Sequence, residues 1–219
     1  MIQRVSKNKT ISQLFEDFQK FNQVKNLSES TIIYYNWNTK SFFEFLQEQN
    51  INSIENISRE ALDDFILSEK RKYSNSITIN AHLRAIRTFL YYAMNREYLP
   101  YFKIHLIKQE SKIVETYSYE DIQRLIEKPN FKTCSFVEHR NWIMVNYFIE
   151  TGNRLRSVVN IKVSDVLFDE RKIIIRTTKN RQELETPLTK TLLEILPYYI
   201  ETWGLTNDFY LFPTVTGEQ

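Results

Sequence analysis

A glycine and an arginine in the middle of the chain form the clearest chemical feature of the sequence. Gly152 and Arg154 lie in the segment Glu150-Thr-Gly-Asn-Arg-Leu-Arg156. Glycine permits a sharp reversal of the backbone at the end of a helix. An arginine beside such a turn can point into a cleft, where its planar guanidinium can bind two oxygens of a phosphate. The residue types alone leave a second interpretation open, in which Arg154 pairs with a carboxylate on the surface.

A second feature is a stripe of polar residues in the first half of the chain. We call it the polar stripe, and it consists of Asn80, Arg84, Arg87 and Tyr91. Their spacing places all four on one face of an α-helix. Such a face is usually solvated, and two arginines one turn apart are common on any protein surface. Spacing alone therefore leaves the role of the polar stripe open.

The composition is typical of a folded, mainly helical protein. Of the 219 residues, 42% are hydrophobic and 14% aromatic, which is enough for one large domain or two small ones. Only 3 residues are glycine and 5 are proline, which favours long helices over turn-rich β folds. The single Cys134 has no cysteine partner for a disulfide or a zinc site, which fits a reducing cytoplasm.

Charge and hydropathy narrow the possible partners. No apolar run approaches the ~20 residues that span a bilayer, and the first ten residues lack the apolar core of a signal peptide. We therefore expect no association with a membrane. The net charge is only +2, so any contact with nucleic acid must come from local basic patches. Neither a phosphate-binding glycine loop nor a cluster of metal ligands is present in the sequence, so we expect no metal and no small-molecule cofactor.

The first hundred residues predict a small bundle of four helices. Apolar residues recur at helical spacing, and serine or threonine caps precede several of the predicted starts. We expect helices at residues 11–25, from the caps in 27–31 to about 49, from Ser58 onward, and at 76–95. The fourth has the clearest apolar stripe, formed by Ile79, Leu83, Ile86, Leu90 and Ala93.

The second half predicts helices and one small β element. Residues 118–128 begin with a sequence similar to a capping box, and residues 142–150 are apolar nearly all round, as in a buried helix. Residues 172–178 are rich in β-branched side chains, and a polar turn leads to a second strand at 182–188. Another amphipathic helix is predicted at 192–203. The fold class is therefore mainly α, with a helical bundle followed by a mixed α+β domain that contains a small antiparallel sheet.

A charged segment separates the two halves. Residues 103–117 have no clear helical stripe and carry many charges. We therefore place a linker at 108–117, between a helical domain at 1–107 and a second domain at 118–219.

Residues 150–166 resemble the first catalytic box of the tyrosine recombinases, the phage-integrase family. In that box a buried helix ends at Thr-Gly-x-Arg and a second helix starts. The segment here reads Glu150-Thr-Gly-Asn-Arg-Leu-Arg-Ser-Val-Val-Asn-Ile-Lys-Val-Ser-Asp-Val166. A predicted hairpin at 173–188 and the Tyr210-Leu-Phe-Pro-Thr-Val-Thr-Gly217 segment follow in the order that the family has them.

The first half is similar to the family's SAM-like core-binding domain. The similarity lies in Ser28-x-x-Thr31 with Tyr35, Phe42 and Phe45-Leu46, and in the segment from Ile77 to Leu90. The resemblance therefore covers roughly residues 10–219. It implies two domains that form a clamp around double-stranded DNA, the second being the first part of a catalytic domain.

The resemblance implies a role for several residues. Arg154 matches the first catalytic arginine, which stabilises the negative charge of the phosphorane. Lys179, at the predicted hairpin tip, would protonate the departing 5′ oxygen, with Lys172 and Arg181 as rival identities. The polar stripe (Asn80, Arg84, Arg87 and Tyr91) would contact DNA, together with Arg156 and Lys162. The family cleaves through a 3′-phosphotyrosyl intermediate, without metal or ATP, and assembles as a tetramer on DNA.

The chain departs from the family at two places. Ser157 stands where the family usually has an acidic residue that supports the active-site architecture. The His-x-x-Arg box, the later His or Trp and the nucleophilic Tyr would lie beyond Gln219, because Tyr198 and Tyr199 precede the Leu-Phe segment. We therefore expect these 219 residues to lack the nucleophile.

Three functions remain open on the sequence. The chain can belong to a catalytically active recombinase or integrase of a mobile element, one that acts at specific DNA sites. It can be a naturally shortened, non-catalytic protein that occupies recombination sites. It can also be a helical interaction protein without a role on DNA, an alternative that only its near-neutral charge supports.

Overall fold

The computed structural model describes residues 9–109, 114–176 and 182–214. The chain folds into two compact units, Met1–Ile113 and Val114–Gln219. The described residues are mainly helical with one small antiparallel sheet, so the predicted fold class is confirmed.

The first unit is a bundle of four helices. They are α1 (Ile11–Val24), α2 (Glu29–Glu48), α3 (Arg59–Lys72) and α4 (Ser76–Asn95), with a 3₁₀ turn at Ile54–Asn56 before α3. Each begins at a residue whose side-chain oxygen accepts a backbone N–H of the first turn, namely Thr10, Ser28, Ser58 and Asn75. These caps satisfy donors that the helix itself leaves without partners. The four helices predicted in this half therefore all form.

Aromatic and aliphatic side chains fill the core of the bundle. Helix α4 contributes the most buried residues, including the whole predicted apolar stripe. The rings of Phe15, Phe18 and Phe43 pack around Phe89, with ring centroids 5.3 to 5.7 Å from that of Phe89. Edge-to-face contacts of this kind add to the free energy gained by burial. The apolar residues at 102–107 pack against the same core.

The second unit combines helices with a three-stranded sheet. Its helices are α5 (Tyr119–Leu125), α6 (Phe136–Thr151), α7 (Leu155–Val158) and α8 (Lys190–Thr202), with a 3₁₀ turn at Val163–Asp165. The strands β1 (Val166–Leu167), β2 (Lys172–Ile175) and β3 (Leu184–Pro187) are antiparallel in the order β1-β2-β3. In β2 the alternate residues Ile173 and Ile175 are buried, as expected of a sheet with one covered face.

Helix α6 differs from its prediction in length and in burial. It begins at Phe136, because Ser135 and Glu138 form a capping box that starts the helix before Trp142. It is also not buried all round, since Ile149 is 48% exposed while Ile143 and Tyr147 are fully buried. The prediction of a helix buried all round was therefore wrong, because some of its apolar residues lie on the exposed side. Its covered face packs on α8 and on the β2 side chains in the second core.

Candidate active site

The turn that follows α6 carries the candidate arginine. Gly152 has φ 63°, in the left-handed region, and its N–H donates to the carbonyl of Phe148 at 2.8 Å. Arg154 has extended backbone (φ −75°, ψ 140°) and is the N-cap of α7. Its carbonyl accepts the N–H groups of Ser157 (2.9 Å) and Val158 (3.1 Å). The backbone of Arg154 is therefore fixed by a glycine turn on one side and by a helix start on the other.

A small hydrogen-bond network holds this turn against the sheet. The amide Nδ2 of Asn153 donates to Tyr147 Oη at 3.0 Å and to Thr186 Oγ1 at 3.1 Å. Thr151 Oγ1 donates to the Tyr147 carbonyl at 2.7 Å and accepts the N–H of Asn153 at 3.3 Å. Tyr147 belongs to α6 and Thr186 to β3, so the network joins the helix, the turn and the β2–β3 hairpin. Burial raises the pKa of the Tyr147 hydroxyl, which is therefore a neutral partner.

The guanidinium of Arg154 is exposed and has no hydrogen-bond or ion-pair partner among the described residues. Two other arginines of this unit are held by the protein. Arg176 donates to Asp165 at 2.8 Å and to Glu183 at 3.1 Å, and the bond to Asp165 raises its pKa. Arg140 donates to the Pro213 carbonyl at 2.7 Å. Arg154 thus has the free planar fork that a phosphate requires.

The lysine predicted at the hairpin tip lies outside the described residues. Lys179 falls in the segment 177–181, as does its rival Arg181. The other rival, Lys172, is described and lies between two carboxylates, at 2.8 Å from Glu170 and 3.0 Å from Glu185. Hydrogen bonds to Glu170 and Glu185 raise the pKa of the Lys172 ammonium. A lysine held in this way is a weaker proton donor, so the geometry disfavours Lys172 as a general acid.

Three residues that the sequence analysis singled out follow Arg154 along the chain. The side chains of Arg156 and Lys162 are exposed, as a phosphate contact requires. Ser157 is half-buried, and its backbone N–H bonds to the Arg154 carbonyl. The hydroxyl of Ser157 has no hydrogen bond within the described part of the chain, so it does not replace the supporting contacts of an acidic residue there.

The polar stripe on α4 divides into two pairs. Arg84 is exposed and Arg87 half-buried, and neither has an ion pair within the described ranges. Asn80 is 1% exposed. Its Nδ2 donates to the carbonyl of Ile107 at 2.9 Å, and its Oδ1 accepts the N–H of Ile107 at 3.0 Å. Asn80 is therefore an anchor for the segment that follows the bundle, and we remove it from the candidate DNA surface.

Tyr91 is the other anchor of this segment. Its hydroxyl accepts the N–H of Ile104 at 3.2 Å, and its ring stacks on Tyr101 with centroids 6.0 Å apart. Tyr91 is only half-buried, and a hydroxyl that accepts one N–H can still donate its own hydrogen, so its DNA contact stays a prediction. The candidate surface on α4 thus keeps Arg84, Arg87 and Tyr91.

The structure adds basic residues that the sequence analysis missed. Arg87 lines a groove together with Lys25 and Arg96, which follow the last residues of α1 and α4. Lys25 Nζ lies 4.4 Å from the ring centroid of Phe21, and Arg96 Cζ lies 4.6 Å from that of Tyr92. Their positions just after two helix ends bring these cations together, a proximity that linear spacing does not reveal.

The part of the chain that the structure describes contains no group of three or more potential metal ligands. None of its helices is long and apolar enough to cross a membrane.

Two family models match the chain. One, described as phage integrase, N-terminal SAM-like domain, matches residues 15–97. The other, described as phage integrase family, matches residues 116–219. The chain belongs to the phage integrase family of tyrosine recombinases.

Curated relatives agree with this assignment. A tyrosine recombinase of Pseudothermotoga lettingae is 27% identical over 92% of this chain and 69% of the relative. Tyrosine recombinase XerD of Staphylococcus haemolyticus is 27% identical over 85% of this chain and 64% of the relative. The chain thus spans about two thirds of the length of these relatives.

Solved structures share the fold. A λ integrase dimer bound to a COC′ core site is similar with a TM-score of 0.72 and 13% identity, over 97% of this chain and 60% of that chain. The Tn1549 transposon integrase in complex with circular intermediate DNA gives a TM-score of 0.67 and 15% identity, over 96% of this chain and 73% of that chain.

Proposed function

We propose that this protein acts in site-specific DNA recombination or integration, through cleavage of duplex DNA at a phosphodiester. The observation that carries the proposal is the guanidinium of Arg154, which has no partner among the described residues and extends from a glycine turn bonded to the β2–β3 hairpin. In the sequence resemblance Arg154 matches the first catalytic arginine of the family, and we propose that role for it here. A cation that the fold holds in place can stabilise the negative charge that develops on a phosphate during the reaction.

In the proposed reaction, a tyrosine hydroxyl of the complete active site gives up its proton and attacks the scissile phosphorus, and the bond from phosphorus to the 5′ oxygen breaks. Arg154 binds the non-bridging oxygens while their charge increases. Lys179 gives a proton to the departing 5′ oxygen, which becomes a hydroxyl. The phosphodiester energy is kept in the protein–DNA ester, so the reverse attack by a 5′ hydroxyl needs neither ATP nor a metal.

The proposed partner is double-stranded DNA, bound by both units. Within the described ranges, Arg84 and Arg87 of the first unit have no ion pair, and neither have Arg154, Arg156 and Lys162 of the second. In solved structures λ integrase is bound as a dimer to a core site and as a tetramer to a Holliday junction. We extend this to the present protein and propose that it also self-associates on DNA.

The proposal is tested with the protein translated from its complete reading frame. Duplexes that it binds are first selected from a random library. Each selected duplex is then nicked near candidate scissile positions, so that a cleaved product diffuses away and the covalent adduct accumulates. A denaturant-resistant protein–DNA adduct is expected, and it should disappear in the Arg154→Ala variant. Binding without any adduct would replace this proposal by the non-catalytic alternative, a protein that occupies recombination sites. Absence of binding at low salt would reject both.

A further inference from the structure

Asn153 lies between the glycine of the turn and the candidate catalytic arginine. It is half-buried, and both hydrogens of its amide have an acceptor in the protein. One acceptor is the hydroxyl of Tyr147 at 3.0 Å, and the other is the hydroxyl of Thr186 at 3.1 Å. An amide with both donors bonded in a sheltered position adopts one orientation.

Both acceptors are rigid parts of the fold. Tyr147 is fully buried in α6, where its ring packs 5.8 Å from that of Phe212. Thr186 is 7% exposed in β3, where it pairs with Ile173 of β2. The side chain of Asn153 therefore connects the helix before the turn with the hairpin that is 33 residues further along the chain.

The hydrogen bonds of Asn153 hold the backbone from which the side chain of Arg154 extends. Arg154 is the next residue, and its own side chain has no partner among the described residues that could orient it. Its position relative to the hairpin thus depends on the backbone, and the backbone is held there by the Asn153 amide. Positioning of this kind matters because a displacement of about 1 Å at a reacting group costs about 100-fold in rate.

We propose that Asn153 is a positioning residue that sets Arg154 against the β2–β3 hairpin through Tyr147 and Thr186. The inference rests on the proposed function. Asn153 does not contact the phosphate in this proposal, and it acts only through Arg154. A residue with a purely structural role would lower stability and leave the reaction of folded, DNA-bound protein unchanged.

The test compares Asn153→Leu, which has a similar volume and no hydrogen bonds, with the isosteric Thr186→Val. Single-turnover cleavage is measured on DNA that is already bound, and thermal denaturation is measured alongside. We expect Asn153→Leu to slow cleavage by about 10- to 100-fold and Thr186→Val by less. DNA affinity should change by no more than about 3-fold, because no phosphate contact is removed. Trp203→Phe is the matched control, since it removes a buried hydrogen bond to His139 in the same unit and should leave the cleavage rate unchanged.

Two readouts separate positioning from structural support. In an Arg154→Ala background, Asn153→Leu should cause no further loss of cleavage, since the residue that it positions is gone. On a substrate whose scissile phosphate is a methylphosphonate, which carries no charge, the effects of Arg154→Ala and Asn153→Leu should shrink together. The proposal would be overturned if the rate losses of Arg154→Ala and Asn153→Leu multiplied fully in the double variant. It would also be overturned if Asn153→Leu slowed cleavage equally on the charged and the uncharged substrate.

The outcomes also distinguish this inference from the proposed function. If wild-type protein forms no adduct on any selected duplex, the proposed function fails and this inference with it. If wild-type protein cleaves, and Asn153→Leu and Thr186→Val cleave equally fast, only this inference fails. If Asn153→Leu does not fold, Thr186→Val and Tyr147→Phe each remove one bond of the same amide and decide the question.

Discussion

Arg176 Nε lies 2.8 Å from Oδ1 of Asp165, a carboxylate that is almost fully buried. The other oxygen, Oδ2, accepts the backbone N–H of Lys162 at 3.0 Å. One carboxylate therefore fixes both the end of β2 and the 3₁₀ turn that precedes β1. In the sequence, Asp165 lies close to Lys162, and Arg176 lies close to Lys179.

We expect Asp165→Ala to destabilise the second unit by about 1–3 kcal/mol, because it leaves the Lys162 N–H without its acceptor and Arg176 without its main partner. Asp165→Asn should cost less, since an amide oxygen can still accept from Lys162. Urea denaturation monitored by tryptophan fluorescence measures the change in the free energy of unfolding. Equal stability of Asp165→Ala and wild type would show that the two bonds contribute nothing net.

The pH dependence of stability should contain a contribution from His139. This residue is 1% exposed, its Nδ1 accepts the indole N–H of Trp203 at 3.0 Å, and its ring stacks on Phe131. Desolvation, with Lys128 as a smaller cause, lowers the pKa of the imidazole. The unfolded chain therefore binds a proton more readily than the folded protein as pH falls through about 6.5.

Stability from this group is consequently complete above the unfolded pKa and decreases below it, by at most about 1.4 kcal/mol per pH unit. The free energy of unfolding of wild type and His139→Gln should be compared between pH 7.5 and 5.5. The variant should be less stable at pH 7.5 and should show the shallower decrease. Parallel curves would mean that His139 titrates alike in both states.

Arg154→Ala should abolish most cleavage and keep most binding to the selected DNA. The reason is that its guanidinium matters most when charge increases on the phosphate, and loss of one such preorganised donor costs about 100- to 1000-fold in rate. Arg154→Lys should recover little, because a single ammonium cannot bind two oxygens at once. Adduct formation and binding are measured on the same duplex. Wild-type rates in either variant would remove Arg154 from the mechanism.

Local features of the fold could be predicted from the sequence, and contacts between distant segments could not. The four helices of the bundle carry their own caps and apolar stripes, and the glycine turn before Arg154 is encoded by adjacent residues. The start of α6 is also encoded, in Ser135 and Glu138, but the polar residues 138–141 interrupt the apolar pattern before Trp142 and concealed it.

The roles of Asn80 and Asn153 show where sequence reasoning stops. Asn80 lies on the polar face of a helix by spacing, yet it is buried because residues 27 positions later return to cover it. Asn153 is one ordinary residue of a turn until β3 brings Thr186 beside it. Both contacts depend on how elements pack, and neither hydrophobic periodicity nor capping motifs report that packing.

Lys179→Ala should slow cleavage, and a substrate with sulfur in place of the bridging 5′ oxygen should largely restore the rate. A thiolate leaves without needing a proton, so the general acid becomes dispensable. Lys172→Ala is the matched control, because its ammonium already binds Glu170 and Glu185. It should leave cleavage nearly unchanged on both substrates. Rescue of Lys172→Ala instead of Lys179→Ala would transfer the general-acid role to Lys172.

Replacement of Arg84 and Arg87 together by alanine should weaken DNA binding across sequences without slowing cleavage by the bound protein. Each phosphate contact releases condensed counterions, so the slope of log affinity against log salt should fall by up to about two. The control replaces Lys40 and Arg59, which are paired with Glu44 and Asp63 on α2 and α3 and carry the same total charge. That control should leave the slope unchanged. Equal slopes for the two double variants would mean that Arg84 and Arg87 act only through net charge, and the α4 face would then be excluded as a DNA-contacting surface.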